Sequence, residues 1–227
     1  MLNAQAIVSG QQFWHLPRNA SLHGRSLDQH LLLNLWIALA LLTLEYLPLA
    51  ALTILFAFLA IRAQQLWAAQ RYTGADLAAM QVEVTGMQFA WYFRYPGKDA
   101  TFGETKLALA DAPGGNPLGT DSKDPYGTDD IVSSQLVLPA GREVDLTLKA
   151  QDVIHGFSVP EMRLKQNAVP GQTAHIHFTP TMPGTYAILC TQLCGLGHYR
   201  MQATMLVMPP EKFAAWLAAR EAQAGAR

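Results

Sequence analysis

A chain of 227 residues has room for one ordinary domain with appendages or for two small ones, which excludes a large multidomain enzyme. Its 16 Lys+Arg against 17 Asp+Glu leave no basic excess to hold a phosphate backbone, and two cysteines are too few for a disulfide scaffold. Only 15% of residues are charged while 50% are hydrophobic, a balance that requires either a large core or a segment in lipid.

Residues 1–27 contain Trp14, His15, Pro17, Arg18 and His23, with His30 just beyond, and lack the basic start, apolar stretch and small-residue cleavage site of a secretory signal. They read as an interfacial arm. The three histidines are spaced by eight and seven residues, which puts them on no common face of a short element.

The apolarity is concentrated in residues 31–61, LLLNLWIALALLTLEYLPLAALTILFAFLAI, where Glu45 is the one side chain charged at neutral pH. That length is well past the roughly 18 residues that already point to a transmembrane helix. Residues 28–70 are therefore the membrane anchor. As a single helix the run of 31 would measure about 46 Å against a hydrocarbon core of about 30 Å. Two arrangements answer this: one tilted helix kinked near Pro48, or a hairpin of two short helices, 28–43 and 46–67, turning around Glu45 to Pro48. The hairpin is the favoured expectation, with Glu45 at the turn or headgroup level, because a charge at the bilayer centre is costly. Arg18 and Arg25 before the run balance Arg62 and Arg71 after it, so charge counting does not orient it.

After Trp67 the composition becomes that of a soluble domain. Alternating apolar and polar residues mark strands at 81–85, 135–138, 143–148 and 174–178, separated by Pro139-Ala140-Gly141, Pro170-Gly171-Gln172 and Pro180-Thr181-Met182-Pro183-Gly184. Many short strands without intervening helical patterns predict an all-β sandwich or barrel over residues 80–209. Residues 110–130, with Asp121, Asp124, Asp129 and Asp130, form a long polar loop whose aspartates either cap turns or attract a basic partner. The end of the chain, 210–227, holds an amphipathic helix, PEKFAAWLAAREAQA, with Phe213, Trp216 and Leu217 on one face. His175 and His177 share a strand face and are expected to be exposed positions rather than a metal site.

The chemistry gathers in CTQLCGLGHYRM, residues 190–201, which holds both cysteines of the chain together with His198 and Met201. Thiolate, imidazole and thioether are the soft and borderline donors that select copper, and a methionine beside Cys and His marks electron-transfer copper sites. Upstream, Asp152-Val153-Ile154-His155 ends another strand pattern with a further imidazole. A Cys190–Cys194 disulfide would close a loop too short to gain much chain entropy. A structural zinc held by Cys190, Cys194, His198 and His155 would leave Met201 without a role. Two thiolates, two imidazoles and a thioether suit a pair of copper ions that share both sulfurs.

With these residues the chain resembles subunit II of the haem–copper oxidases, in the members that carry the dinuclear CuA centre. The resemblance runs through the anchor and the β domain, and rests most specifically on Cys-x-x-x-Cys-x-x-x-His-x-x-Met preceded by Asp-Val-Ile-His. It implies a cupredoxin-like Greek-key domain. It also implies that Cys190 and Cys194 bridge two coppers, that His155 and Met201 complete one, and that His198 with the backbone carbonyl of Gln192 completes the other. Residues 161–171 are similar to the stretch that faces subunit I in that family. Many members have glutamate at the position of Gln192, where it helps hold magnesium; glutamine here weakens the case for magnesium and resembles the B-type oxidases. The run GMQFAWYFRY, 86–95, is similar to the segment through which an electron arrives from cytochrome c. Phe89 stands where a tryptophan is usual, and Trp91 lies two positions on, so Phe89 and Trp91 are the candidates for that step; packing within a sheet is the competing role for Trp91.

The function the resemblance implies is that of the electron-accepting subunit of a terminal oxidase in the bacterial cell membrane. Its copper domain would lie on the periplasmic side, take electrons from cytochrome c and pass them to haem in subunit I for reduction of oxygen to water. A CuA-containing nitric oxide reductase subunit is the alternative.

Overall fold

The structure, a computed structural model, describes residues 24–71, 73–121 and 123–224. Trp14, His15 and His23, and with them most of the 1–27 arm, lie outside the described residues. The chain divides into two compact units, one ending at Gln64 and one beginning at Gln65.

The first unit is built on α1, Gly24–Arg71, a single unbroken helix of 48 residues with Pro48 inside it. The expected hairpin is therefore not formed. A tight turn requires residues that readily leave the α region, and Glu45-Tyr46-Leu47-Pro48 contains neither Gly nor Asn. Pro48 removes one backbone hydrogen bond, while the Leu- and Ala-rich sequence on both sides favours helix throughout. The hydroxyls of Thr43 and Thr53 donate to the carbonyls of Ala40 and Leu49 at 2.9 and 2.8 Å, so these polar groups are satisfied within the helix. Ser26–Ala69 is long and apolar enough to cross a membrane, with a mean hydropathy of 2.1 at its most apolar. Its leucines, Trp36, Phe56 and Phe58 are exposed around the whole circumference, the arrangement of a helix whose solvent is lipid. At a rise of about 1.5 Å per residue α1 is about 72 Å long, so it extends beyond a hydrocarbon core of about 30 Å.

The second unit is a two-sheet β sandwich, as expected. Among the described residues the first sheet has the order β3-β2-β1-β5-β8, made of Ile131–Ser133, Ala90–Tyr95, Met80–Met87, Val144–Ala150 and Ala174–Phe178. The second has the order β4-β10-β9-β6-β7, made of Gln135–Pro139, Gln202–Met208, Gly184–Cys190, His155–Val159 and Leu164–Ala168. Val82, Val84, Phe93, Leu146 and Leu148 of the first sheet meet Leu136, Leu138, Phe157, Val159 and Met205 of the second, all fully buried. Each contributes on the order of 2 kcal/mol by leaving water. α2, Pro210–Ala224, closes the core with Phe213 and sets Trp216 edge-on to Tyr95 at 5.4 Å. The Tyr95 hydroxyl donates to the carbonyl of Val137 and accepts from its N–H, tying the two sheets together.

Alternation does not decide every side chain. Glu83 and Thr85 of β1 are buried, because Glu83 is covered by an ion-paired network on what the pattern marks as the polar face. Arg94, almost fully buried, pairs with Glu83 and, at 2.9 Å, with Asp130, and donates to the carbonyl of Gly103 at 2.7 Å; Lys149 also pairs with Glu83. Burial pushes the Asp130 carboxyl up to about 6, against the opposing pull of the Gly103 N–H and Arg94. The loop aspartates act as turn and loop anchors. Asp121, Asp124, Asp129 and Asp130 each accept a backbone N–H, from Lys123, Tyr126 and Glu104, Lys98 and Gly103 respectively. His175 lies at the surface 3.3 Å from Asp145, and His177 donates to the Ala69 carbonyl at 2.8 Å.

Candidate metal centre

Strand pairing assembles the site. β6 starts at His155 and runs antiparallel to β9, which ends at Cys190, with Phe157 opposite Cys190. The fully buried imidazole is thereby held beside the loop that leaves β9. That loop is pinned at both ends, by the Thr191 N–H on the Gly156 carbonyl at 2.9 Å and the Cys190 N–H on the Met201 carbonyl at 3.2 Å. A short 3-10 turn, His198–Arg200, then folds His198 back towards the cysteines.

The donors converge on the two sulfurs. Cys190 Sγ and Cys194 Sγ are 3.9 Å apart, both free thiols and too far apart for a disulfide. Met201 Sδ and His198 Nδ1 each lie 3.6 Å from Cys194 Sγ, and the Cys190 thiol donates to the Gln192 carbonyl at 3.2 Å. A ring nitrogen of His155 and both sulfurs lie within 4.8 Å of one another. His155 Nε2 donates to Asp152 Oδ1 at 2.8 Å, whereas Nδ1 is buried without a hydrogen-bond partner among the described residues. A buried ring nitrogen left unpaired costs stability unless something binds its lone pair. Beside two thiols and a thioether, a soft metal ion fits it.

Burial, with the neighbouring Cys190 next in effect, pushes the Cys194 thiol up to about 11, so without metal the sulfur keeps its proton at neutral pH. Burial alone would raise Asp152, yet the N–H groups of Gln88 and Val153 and the His155 ring together hold its carboxyl below the usual carboxylate range. Asp152 thus stays an acceptor and fixes which nitrogen of His155 carries the hydrogen.

Of the aromatic candidates, Phe89 rests directly on the metal loop. A Cβ on Gly197 would come within 2.4 Å of the Phe89 ring, and one on Gly195 within 3.2 Å, so both glycines are needed to seat it. Trp91 is buried, edge-on to His155 at 5.8 Å and to Phe157 at 5.4 Å.

The match to known proteins falls on the same segment. The family described as cytochrome c oxidase subunit II, periplasmic domain, matches residues 80–207, more than half of the chain. The chain belongs to the cytochrome c oxidase subunit II family. Among its relatives, the alternative cytochrome c oxidase subunit 2 of Bradyrhizobium diazoefficiens is 39% identical over 149 residues, covering 65% of this chain and 53% of that protein. Cytochrome c oxidase subunit 2 of Thermostichus vulcanus is 37% identical over 60% of this chain and 32% of its own length; that of Cereibacter sphaeroides is 30% identical over 62% and 49%. The chain thus spans about half, or less, of the length of these relatives. A solved periplasmic domain of subunit II of cytochrome oxidase from Bradyrhizobium japonicum aligns at 23% identity with a TM-score of 0.49, covering 66% of this chain and 99% of that one.

Two residues at this family site carry no signal in the sequence that assigns them a role. Asp152 stands three positions before His155 within the motif, and only the fold reveals that its carboxylate meets the ring. Gln88 has its partner Cys194 106 residues away, a separation no local pattern reports.

Proposed function

We propose that this chain is the electron-accepting subunit of a respiratory haem–copper oxidase, anchored by α1 in the bacterial cell membrane with its β domain on the periplasmic side. It takes electrons from a cytochrome c and passes them to haem in subunit I, where oxygen is reduced to water. Cys190 and Cys194 would hold two copper ions in common, with His155 and Met201 on one and His198 and the Gln192 carbonyl on the other. The observation that carries this reading is the fully buried His155, with an unpartnered Nδ1 and a ring nitrogen within 4.8 Å of a pair of free thiols, and with Met201 at hand. A copper pair sharing two sulfurs supplies one-electron storage spread over both metals. The chain's own part is to hold the donors still: β6 and β9 fix His155 against Cys190, Asp152 fixes the imidazole, and buried Met201 and Cys194 keep water from the inner side. Gln192 brings a backbone carbonyl and no carboxylate, so magnesium is not part of this proposal. Phe89, packed on the metal loop, and Trp91, behind His155, are the residues through which an electron would reach the site.

The test is metal analysis, visible absorption and EPR of the full chain purified in detergent, followed by mixing with reduced cytochrome c. Two coppers per chain, a mixed-valence EPR signal and rapid oxidation of the cytochrome are expected. A colourless, EPR-silent chain carrying one zinc would refute it.

A further inference from the structure

Gln88, in the turn between β1 and β2, touches both halves of the donor set. Its backbone N–H donates to Asp152 Oδ2 at 2.7 Å, and Asp152 Oδ1 in turn accepts from His155 Nε2 at 2.8 Å. Its side-chain amide donates to the Cys194 carbonyl at 2.5 Å. One residue therefore joins the imidazole side of the site, 64 positions away, to the thiol side, 106 positions away. The metal loop is shaped to receive it. Gly195 has a φ of +134°, and a Cβ there would meet Gln88 Nε2 at 2.7 Å; the neighbouring Phe89 occupies the space a Cβ on Gly197 would take. Fixing the Cys194 carbonyl fixes the peptide between Cys194 and Gly195, and with it the direction in which Cys194 sends its sulfur.

We infer that Gln88 is a positioning residue for the metal centre: its amide and its backbone N–H set the spacing between Cys194 and His155, and so hold the copper pair and tune its potential. This rests on the copper reading above. Gln88 itself donates no lone pair to the metal. It acts through the Cys194 peptide and the Asp152 carboxylate, as outer-shell partners do.

The experiment compares the full wild-type chain in detergent with Gln88→Met, which keeps the length and loses the donor, and with Gln88→Glu, which keeps the shape and turns the donor into an acceptor facing a carbonyl. Three quantities are read: the rate of copper loss to a chelator, the reduction potential, and the circular dichroism and melting temperature of the metal-free chain. Both variants are expected to lose copper about ten times faster than wild type and to shift in potential, with metal-free melting unchanged. Copper loss and potential equal to wild type in both variants overturn the inference. So does a metal-free variant that no longer folds, because Gln88 would then be a folding residue. A wild-type chain that takes up no copper overturns the copper reading and this inference together; a copper-loaded wild type matched by both variants overturns this inference alone.

Discussion

Gly197→Ala probes how tightly Phe89 is seated. Gly197 has φ -92° and ψ 7°, outside the left-handed region, so the folded-state effect of the substitution is steric, offset by about 0.4–1 kcal/mol from the lower freedom of alanine in the unfolded chain. The new methyl would lie 2.4, 2.6 and 2.8 Å from Cδ2, Cγ and Cε2 of Phe89, where ordinary contact begins near 3.4 Å. Ring or loop must therefore move by about 1 Å, which in a packed setting costs about 1–3 kcal/mol. For a domain of this size that lowers the melting temperature by roughly 2–10 °C. The measurement is near-ultraviolet circular dichroism of the metal-free full chain in detergent on heating, for wild type, Gly197→Ala, Phe89→Ala and the double variant. Removing the ring removes the clash, so the Gly197→Ala cost should vanish in the Phe89→Ala background, a coupling of about 1–3 kcal/mol. If the two effects simply add, the loop glycines do not exist to seat Phe89 and the reasoning fails.

Three further outcomes follow from the same geometry. Arg94→Met takes the buried Asp130 carboxylate's ion-pair partner and leaves Glu83 with Lys149 alone, and should cost about 3–5 kcal/mol in chemical denaturation; a loss below about 1 kcal/mol would show that the network is not held by Arg94. Ala100 has a φ of 56° on an exposed turn, so Ala100→Gly should stabilise the domain by about 0.5–1 kcal/mol, the relief of left-handed strain less the extra freedom of glycine when unfolded; a lower melting temperature would contradict this. Because burial raises the Cys194 thiol to about 11, it is protonated at neutral pH and must release that proton when copper binds. Copper affinity should therefore rise with pH across the neutral range, with proton release visible to an indicator dye in weak buffer; a pH-independent affinity would contradict it.

Much of this was legible in the sequence, and the rest was hidden for identifiable reasons. The alternating segments became β1, β4, β5 and β8, and the Phe213, Trp216 and Leu217 face became α2, since these patterns report burial on one side of one element. Residues whose role depends on a second element were harder. Glu83 reads as a surface residue until Arg94 and Lys149 are placed over it. The parallel pairing of β1 with β5 and of β4 with β10 leaves no mark in either strand alone. At the candidate metal centre the gathering of Cys190, Cys194, His198 and Met201 was legible, because Cys, His and Met at close spacing carry their chemistry with them. Gln88 and Asp152 act through partners fixed only by the fold. The hairpin expected around Pro48 is absent because one lost hydrogen bond weighs less than the helix propensity on either side.

The pairing of β6 with β9 also sets an order of events. His155 and Cys190 lie on separate strands, and the Gly156 carbonyl that pins Thr191 is available only once those strands lie side by side. Until those strands pair, Cys190, Cys194, His198 and Met201 form a loop that does not have the imidazole of His155 held against it. These side chains come together only when the second sheet closes, so a metal ion that used His155 together with the loop would find them assembled only in the folded domain.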